Sequence, residues 1–445
     1  IADRGAGSSG SDDGDAGGTE DELAEGDVAG FAAPRDLNAA YRQVFQGPGL
    51  IAGESRRHAV VMALPLLALL PLLAWRAGPA RARALGARLP ATRLIWYAGL
   101  VPAGAWLGAV LYAPYLSPAA SGGASQASAA PAGYGPSARA LAVFHPADAA
   151  ALATLTAAML AAVLAAVCWN DLADVEGDRI SEPRRPLPGG LLTPAQISAS
   201  GKALAAGALF LALCVSYVAF LILLACLLLA AAYSIPPLRL KRLPFVATAA
   251  LAGLSVLSAL AGFSLFAQET APVVFPGRVA LALMVGVTLG FTAKDLKDAD
   301  GDRRSGIRTV ATALSPRTAR LVTAGLVAAG YLVTPAILPL GGVLVAASLL
   351  GAATGVLLVL RARRPDGPLL AVFSLYAVLV LGLCALRPGV LANARTERFL
   401  AAHAEILRLE ERARERTRER ASEGVAAAAS PAAGATGAAI AAGPG

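Results

Sequence analysis

The chain has 445 residues, of which 56% are hydrophobic and only 15% charged, with a mean hydropathy of +0.60. That balance excludes an ordinary soluble domain, because several stretches approach or exceed the ~20 apolar residues that span a bilayer. The net charge of +8 lies mostly between apolar runs, where basic residues set membrane orientation rather than marking nucleic acid as a partner.

In chain order, residues 1–30 are rich in Gly, Asp and Glu and poor in large apolar side chains, so disorder is expected. Residues 31–90 form an N-terminal extension. It contains an apolar stretch at 58–76 that is interrupted by Pro65 and Pro71, a span or a kinked surface helix. Apolar runs then predict helices at 91–113, 149–169, 195–217, 218–234, 244–267, 276–293, 316–338, 340–360 and 367–387. The fold class is an all-α polytopic membrane protein of about nine transmembrane helices, with 58–76 as an extra N-terminal candidate. The core domain occupies 91–390. A Ser-, Ala-, Gly- and Pro-rich stretch at 114–148 reads as a flexible connection. Residues 391–420 carry Glu/Arg pairs at helical spacing and predict an exposed helix, while 421–445 is Ala- and Gly-rich low complexity and expected to be disordered.

Cys168, Cys214, Cys226 and Cys384 sit in or beside apolar runs with no CxxC pair, so they read as packing residues. The three histidines are scattered, which argues against a His-based zinc site. No cleavable signal peptide is evident.

Loop charge orients the chain. Arg179, Arg184 and Arg185 follow the second apolar run; Arg239, Lys241 and Arg242 follow the fourth. Lys294, Lys297, Arg303, Arg304 and Arg308 follow the sixth; Arg361, Arg363 and Arg364 follow the eighth. The alternate loops near 217, 270 and 339 are nearly free of Lys and Arg, so the basic loops are expected on the cytoplasmic side. Nine spans would put the charged stretch after 395 on the opposite side, against its composition.

One nine-residue acidic word occurs twice, each time after an apolar run. It reads Asp171-Leu172-Ala173-Asp174-Val175-Glu176-Gly177-Asp178-Arg179 and then Asp295-Leu296-Lys297-Asp298-Ala299-Asp300-Gly301-Asp302-Arg303. If each word is helical, Asp171, Asp174 and Asp178 fall within roughly 60° of arc, as do Asp295, Asp298 and Asp302. Glu176 and Asp300 point away. Stacked like charges repel, and a divalent cation removes that penalty. An all-oxygen set suits magnesium rather than zinc. Asn170 adds a neutral oxygen before the first word; Lys294 takes the equivalent place before the second and suits a phosphate contact. The order of Asp and Gly does not fit an EF-hand loop.

Two further stretches share that side. In Glu182-Pro183-Arg184-Arg185-Pro186-Leu187-Pro188-Gly189-Gly190, prolines and glycines fix a turn that holds Arg184 and Arg185 near the acids. In Tyr233-Ser234-Ile235-Pro236-Pro237-Leu238-Arg239-Leu240-Lys241-Arg242, a Tyr-Ser pair at a helix end precedes a spaced basic set. Arginine forks match phosphate oxygens.

Taken in order, Asn170-Asp171 through Asp178, Arg185-Pro186-Leu187-Pro188, Tyr233-Ser234 through Lys241-Arg242, and Lys294-Asp295 through Asp302 with Gly306 and Thr309 resemble the UbiA superfamily of intramembrane prenyltransferases, over about 90 to 390. The resemblance implies nine helices around a central cavity open laterally to lipid. It implies two Mg2+ ions on the two Asp-rich words, and transfer of an isoprenyl group from a polyprenyl diphosphate to a lipophilic or aromatic acceptor. On this chain the implied metal residues are Asn170, Asp171, Asp174, Asp178, Asp295, Asp298 and Asp302. The implied diphosphate contacts are Arg184, Arg185, Tyr233, Arg239, Lys241 and Lys294. Asp178 and Asp302 are the catalytic candidates, acting through water or as base for the acceptor. The acidic start, the 58–76 stretch, the 114–148 loop and the charged tail depart from the family's pattern without touching the motifs. Alternatives are a cyclase of the same superfamily, a cation-coupled transporter, whose acids are expected mid-helix at unwound segments, and a scaffold with inactive motifs.

Overall fold

The computed structural model describes residues 91–112, 146–181, 185, 187–267, 271–304, 309–362, 365–391, 412–413 and 416–417. The expectations for 1–30, the 58–76 stretch and the 421–445 tail lie outside these residues. So do nearly all of the 114–148 connection and of the 391–420 helix.

Nine helices among the described residues are long and apolar enough to cross a membrane. They are α1 (Ala91–Tyr112), α2 (Pro146–Ser181), α3 (Pro194–Val215), α4 (Tyr217–Ser234), α5 (Val246–Ala267), α6 (Gly277–Gly290), α7 (Pro316–Ile337), α8 (Gly342–Arg361) and α9 (Asp366–Leu386). The protein is therefore an integral, multi-pass membrane protein. Side chains set the helix ends. Thr193 and Gln196 form a reciprocal capping box at the start of α3, with Pro194 in the first turn. The Ser216 hydroxyl accepts from the Ala219 amide at 3.0 Å, and its extended backbone breaks the apolar run 195–234 into two antiparallel helices.

Two helices differ from their predicted bounds in ways that matter for the acidic words. α2 has 36 residues, roughly 54 Å, against a hydrocarbon core of about 30 Å. It begins inside the expected loop and continues through the whole first word, so that word is helical as expected. The sixth run ends at Gly290, passes through a 3-10 turn at Phe291–Lys294, and resumes as the helix Asp295–Arg304. The second word therefore begins after a 3-10 turn but still within the apolar segment Gly277–Lys297.

Packing places α1 and α5 at the centre. α1 also touches α2 and α9; α2, α3 and α4 pack on one side, and α6, α7, α8 and α9 follow one another around the other. Two apolar clusters result, one on each side, and both draw residues from α1 and α5. The central crossing is unusually close. A methyl group on Gly104 would lie 1.8 Å from the Ala259 carbonyl oxygen, and one on Gly262 would lie 1.7 Å from that of Val101. Lipid tails provide no hydrophobic drive between helices, so backbone approach of this kind supplies dispersion contact instead. The Trp96 indole N–H donates to Ser255 Oγ across the same interface at 3.0 Å.

Gly104→Ala is expected to force the crossing apart and lower the thermal midpoint of the detergent-solubilised protein, at a cost of about 1–3 kcal/mol or more. Gly99→Ala, on the same helix with nothing within 4 Å of the new methyl, is the control. Equal midpoints for the two variants would contradict this account of the crossing.

Candidate active site

The end of α2 carries the first word, and every acid on its shared face is paired with a cation from a following loop. Arg185 Nη1 donates to Asp178 Oδ2 at 2.6 Å and to Asp171 Oδ1 at 3.4 Å. Arg239 Nη2 donates to Asp174 Oδ1 at 3.1 Å and to the Ala173 carbonyl at 2.9 Å. Lys241 Nζ forms an ion pair with Asp174 Oδ2 and donates to Asn170 Oδ1 at 3.0 Å. Glu176 points away, as expected, and meets only Arg179 at the exposed surface. The loops after α2 and α4 are thus folded onto one helix end by charge.

The helix Asp295–Arg304, which carries the second word, packs on α2, which carries the first. Lys294 Nζ donates to the Tyr233 hydroxyl at 3.0 Å, joining the second word to the end of α4. Lys297 Nζ lies 4.0 Å from Asp366 Oδ2 and ties the word to the start of α9. Arg303 Nη2 donates to the Ala311 carbonyl at 3.0 Å. The structure therefore brings Asn170, Asp171, Asp174, Asp178, Arg185, Tyr233, Arg239, Lys241 and Lys294 to one end of the bundle. Asp295 and Asp302 lie in the adjoining helix. Asp298 shares that helix, but its side chain, like all of Arg184, lies outside the described residues.

The cations are crowded beyond what the acids require. Lys241 is buried, and burial pulls its ammonium below the usual lysine range. Asp174 opposes that shift, while the charges of Arg239 and Lys294 add to it. Arg239 sits in left-handed backbone at φ 38°, ψ 54°, a conformation costing a non-glycine residue of order 1–3 kcal/mol. Its Nε is buried without a hydrogen-bond partner. A strained arginine with an unused donor beside two like-charged lysines is an arrangement that an anionic ligand relieves.

Asp178 is 8% exposed, and burial pushes its carboxyl up to about 6. Arg185 opposes the shift; Asp174 and Asp171 add to it. Among the described residues no closed cluster of three His, Cys, Asp or Glu is formed, since guanidinium and ammonium groups hold the first word's carboxylates. The donor chemistry nevertheless fits a hard cation: carboxylate and amide oxygens only, two of the carboxylates drawn to a single guanidinium nitrogen.

Sequence reasoning missed Arg93. It stands in the first turn of α1, and its charge acts on both Asp171 and Lys294. Alone at a helix start, it reads as an orienting positive charge; only the central position of α1 brings its charge within reach of both Asp171 and Lys294.

The family model described as the UbiA prenyltransferase family matches residues 128–377, more than half of the chain. Digeranylgeranylglyceryl phosphate synthase of Natronomonas pharaonis is 34% identical over 167 residues, 37% of this chain and 58% of that protein. Chlorophyll synthase of Arabidopsis thaliana is 32% identical over 180 residues, 37% of this chain and 45% of that protein. The chain spans about half the length of these curated relatives. A solved structure of a UbiA homolog from Aeropyrum pernix K1 aligns with a TM-score of 0.46 and 19% identity, over 64% of this chain and 98% of its own.

A divalent cation held by Asp178 would compete with protons for the same oxygens. As pH falls through about 6 the carboxyl protonates, so affinity for Mn2+, a spectroscopic stand-in for Mg2+, is expected to fall roughly tenfold between pH 7 and pH 5. A flat profile in a titration followed by paramagnetic resonance would remove Asp178 from the metal set.

Proposed function

Because the chain belongs to the UbiA prenyltransferase family, we propose that it transfers an isoprenyl group from a polyprenyl diphosphate to a lipophilic or aromatic acceptor, with the reacting end on the cytoplasmic side. The observation that carries this reading is the convergence of both acidic words on one crowded set of cations. Lys241 holds Asn170 and Asp174 of the first word, and its charge acts on Lys294, which opens the second. A cation-coupled transporter has no need of so many phosphate-type partners.

Asn170, Asp171, Asp174 and Asp178 would hold one magnesium ion, and Asp295, Asp298 and Asp302 the other. Bound there, magnesium supplies charge stabilisation for the departing diphosphate. The protein's own cations act on the same leaving group. Arg185, Arg239, Lys241 and Lys294 bind its oxygens, with Arg93 and Arg184 alongside. Tyr233 orients Lys294 through their hydrogen bond. The bond from C1 of the isoprenyl chain to diphosphate oxygen breaks, and both electrons leave with the diphosphate. The acceptor nucleophile forms the new bond to C1 and releases a proton. A water beside Asp178 or, in the second word, beside Asp302 carries that proton away, with the carboxylate accepting from the water. Apolar helix faces below the site keep water from the electrophilic carbon.

Purified protein incubated with radiolabelled polyprenyl diphosphates, Mg2+ and an acceptor panel is expected to release diphosphate only with metal present; no release with any donor would sink the reading. Asp171→Asn and Asp295→Asn should each abolish turnover while the protein still inserts, and full activity in either refutes the two-metal assignment. Arg93→Gln is expected to raise the donor KM by roughly tenfold, as for loss of one charge-assisted hydrogen bond to phosphate. An unchanged KM would leave Arg93 an orienting charge only.

A further inference from the structure

A row of aromatic rings begins one turn below the cation cluster. Phe291 stands three residues before Lys294 in the 3-10 turn, and Trp96 three residues after Arg93 on α1. Their ring centroids are 6.1 Å apart. Phe373 of α9 follows at 5.2 Å from Trp96, then Tyr331 at 5.7 Å from Phe373 and Tyr376 at 5.0 Å from Tyr331. The chain is only 6% aromatic, and five of its rings lie in this one row.

Phe373 points to the middle of the bundle. It contacts Trp96 on α1 and Tyr331 on α7, and a methyl on Gly286 or Gly290 of α6 would lie 3.5 or 3.9 Å from its ring. On its own helix the exposed residues Leu375 and Val378 lie about 200° and 140° away, on the lipid side. Despite facing inward, Phe373 is only half-buried, so α1, α6 and α7 leave part of its ring uncovered. It stands seven residues from Asp366, which is roughly 10 Å of helix, and Asp366 is tied to the second acidic word through Lys297.

Resting on the prenyltransferase reading, we propose that the half-buried Phe373 and Phe291, backed by the buried Trp96, are the aromatic wall that stabilises the allylic cation of the donor. When the C1–oxygen bond breaks and its electron pair leaves on the diphosphate, positive charge spreads over C1 and C3 of the first isoprene unit. Ring faces attract such a charge through their quadrupole, most strongly where water is excluded. The acceptor's electron pair then forms the bond to C1, its proton passes to a carboxylate, and the charge on the wall is gone. An aliphatic wall binds the same chain equally well but offers nothing to the cation, so the effect belongs to the transition state.

The test compares two probes on the full-length protein in nanodiscs with Mg2+. One is a prenyl ammonium of the donor's shape with inorganic pyrophosphate, which carries the cation's charge; the other is an unreactive prenyl thiolodiphosphate, whose chain is neutral. Phe373→Leu is expected to weaken the ammonium by roughly tenfold or more and kcat by roughly thirtyfold, with thiolodiphosphate affinity within about twofold of wild type. Phe373→Tyr should keep all three. Equal loss of both probes, or no loss of either, overturns the wall. Should Phe373→Leu bind no thiolodiphosphate and so be misfolded, the half-buried Phe291→Leu carries the same comparison, and a lack of discrimination there overturns it. Turnover by wild type without selective loss in the variants defeats only the wall; wild type that binds neither probe and releases no diphosphate defeats the prenyltransferase reading itself.

Discussion

Carboxylates at the end of an apolar helix are costly to desolvate, and their neutralisation by loop cations organises this end of the molecule. Removing a charge from water costs several kcal/mol unless a partner is close and well placed. α2 presents Asp171, Asp174 and Asp178 on one face, and the chain answers with Arg185 from the turn after it and with Arg239 and Lys241 from the loop after α4. Those loops thereby gain a fixed position that their own short sequences do not confer. The same pairs explain how one site can serve two states. A guanidinium on a carboxylate and a metal ion on a carboxylate use the same lone pairs, so a metal bound at these aspartates would free the loop cations for diphosphate oxygens. Neither set of charges is then left without a partner.

The α1–α5 crossing is the other constraint, and it acts on the site from below. Because Gly104 and Gly262 let the two backbones meet, α1 runs through the middle of the bundle instead of along its edge. Its first turn then brings Arg93 to the acids and its second brings Trp96 to Phe291 and Phe373. Both apolar clusters include residues of α1, so a shift of this helix moves the two halves, and with them the two acidic words, relative to each other.

Local patterns carried most of the architecture. Long apolar runs predict the spans because a bilayer demands that length, and the three-and-four spacing of Asp171, Asp174 and Asp178 predicts a shared face because a helix imposes it. What stayed hidden depends on contacts between distant segments. The 3-10 turn before Asp295 is one such feature, which no pattern within Phe291–Lys294 announces. Arg93 carries no motif, and its place beside Asp171 is a consequence of the glycine crossing. Phe373 is likewise an ordinary apolar residue in an apolar helix until three other helices surround it. The joint at Ser216 is an intermediate case: an N-cap serine is readable, but inside a continuous apolar run its choice over neighbouring positions is made by the fold.

The position of the site along the membrane normal follows from the chemistry of the proposed substrate. A polyprenyl diphosphate is a long apolar chain with a highly charged head, and only the head–chain bond reacts. A site in mid-membrane would have to desolvate the diphosphate completely, while a site in water would expose the cation to hydrolysis. Acids at the ends of α2 and α6, with cations from adjacent loops, keep the head at the boundary where water still screens part of its charge. The aromatic row begins one turn below. The step from Lys294 to Phe291 is thus the step between the charged half of the substrate and its reacting carbon, and a single turn of 3-10 helix spans both environments. The 3-10 turn that joins the sixth span to the second word therefore carries both the ammonium of Lys294 and the ring of Phe291, three residues apart.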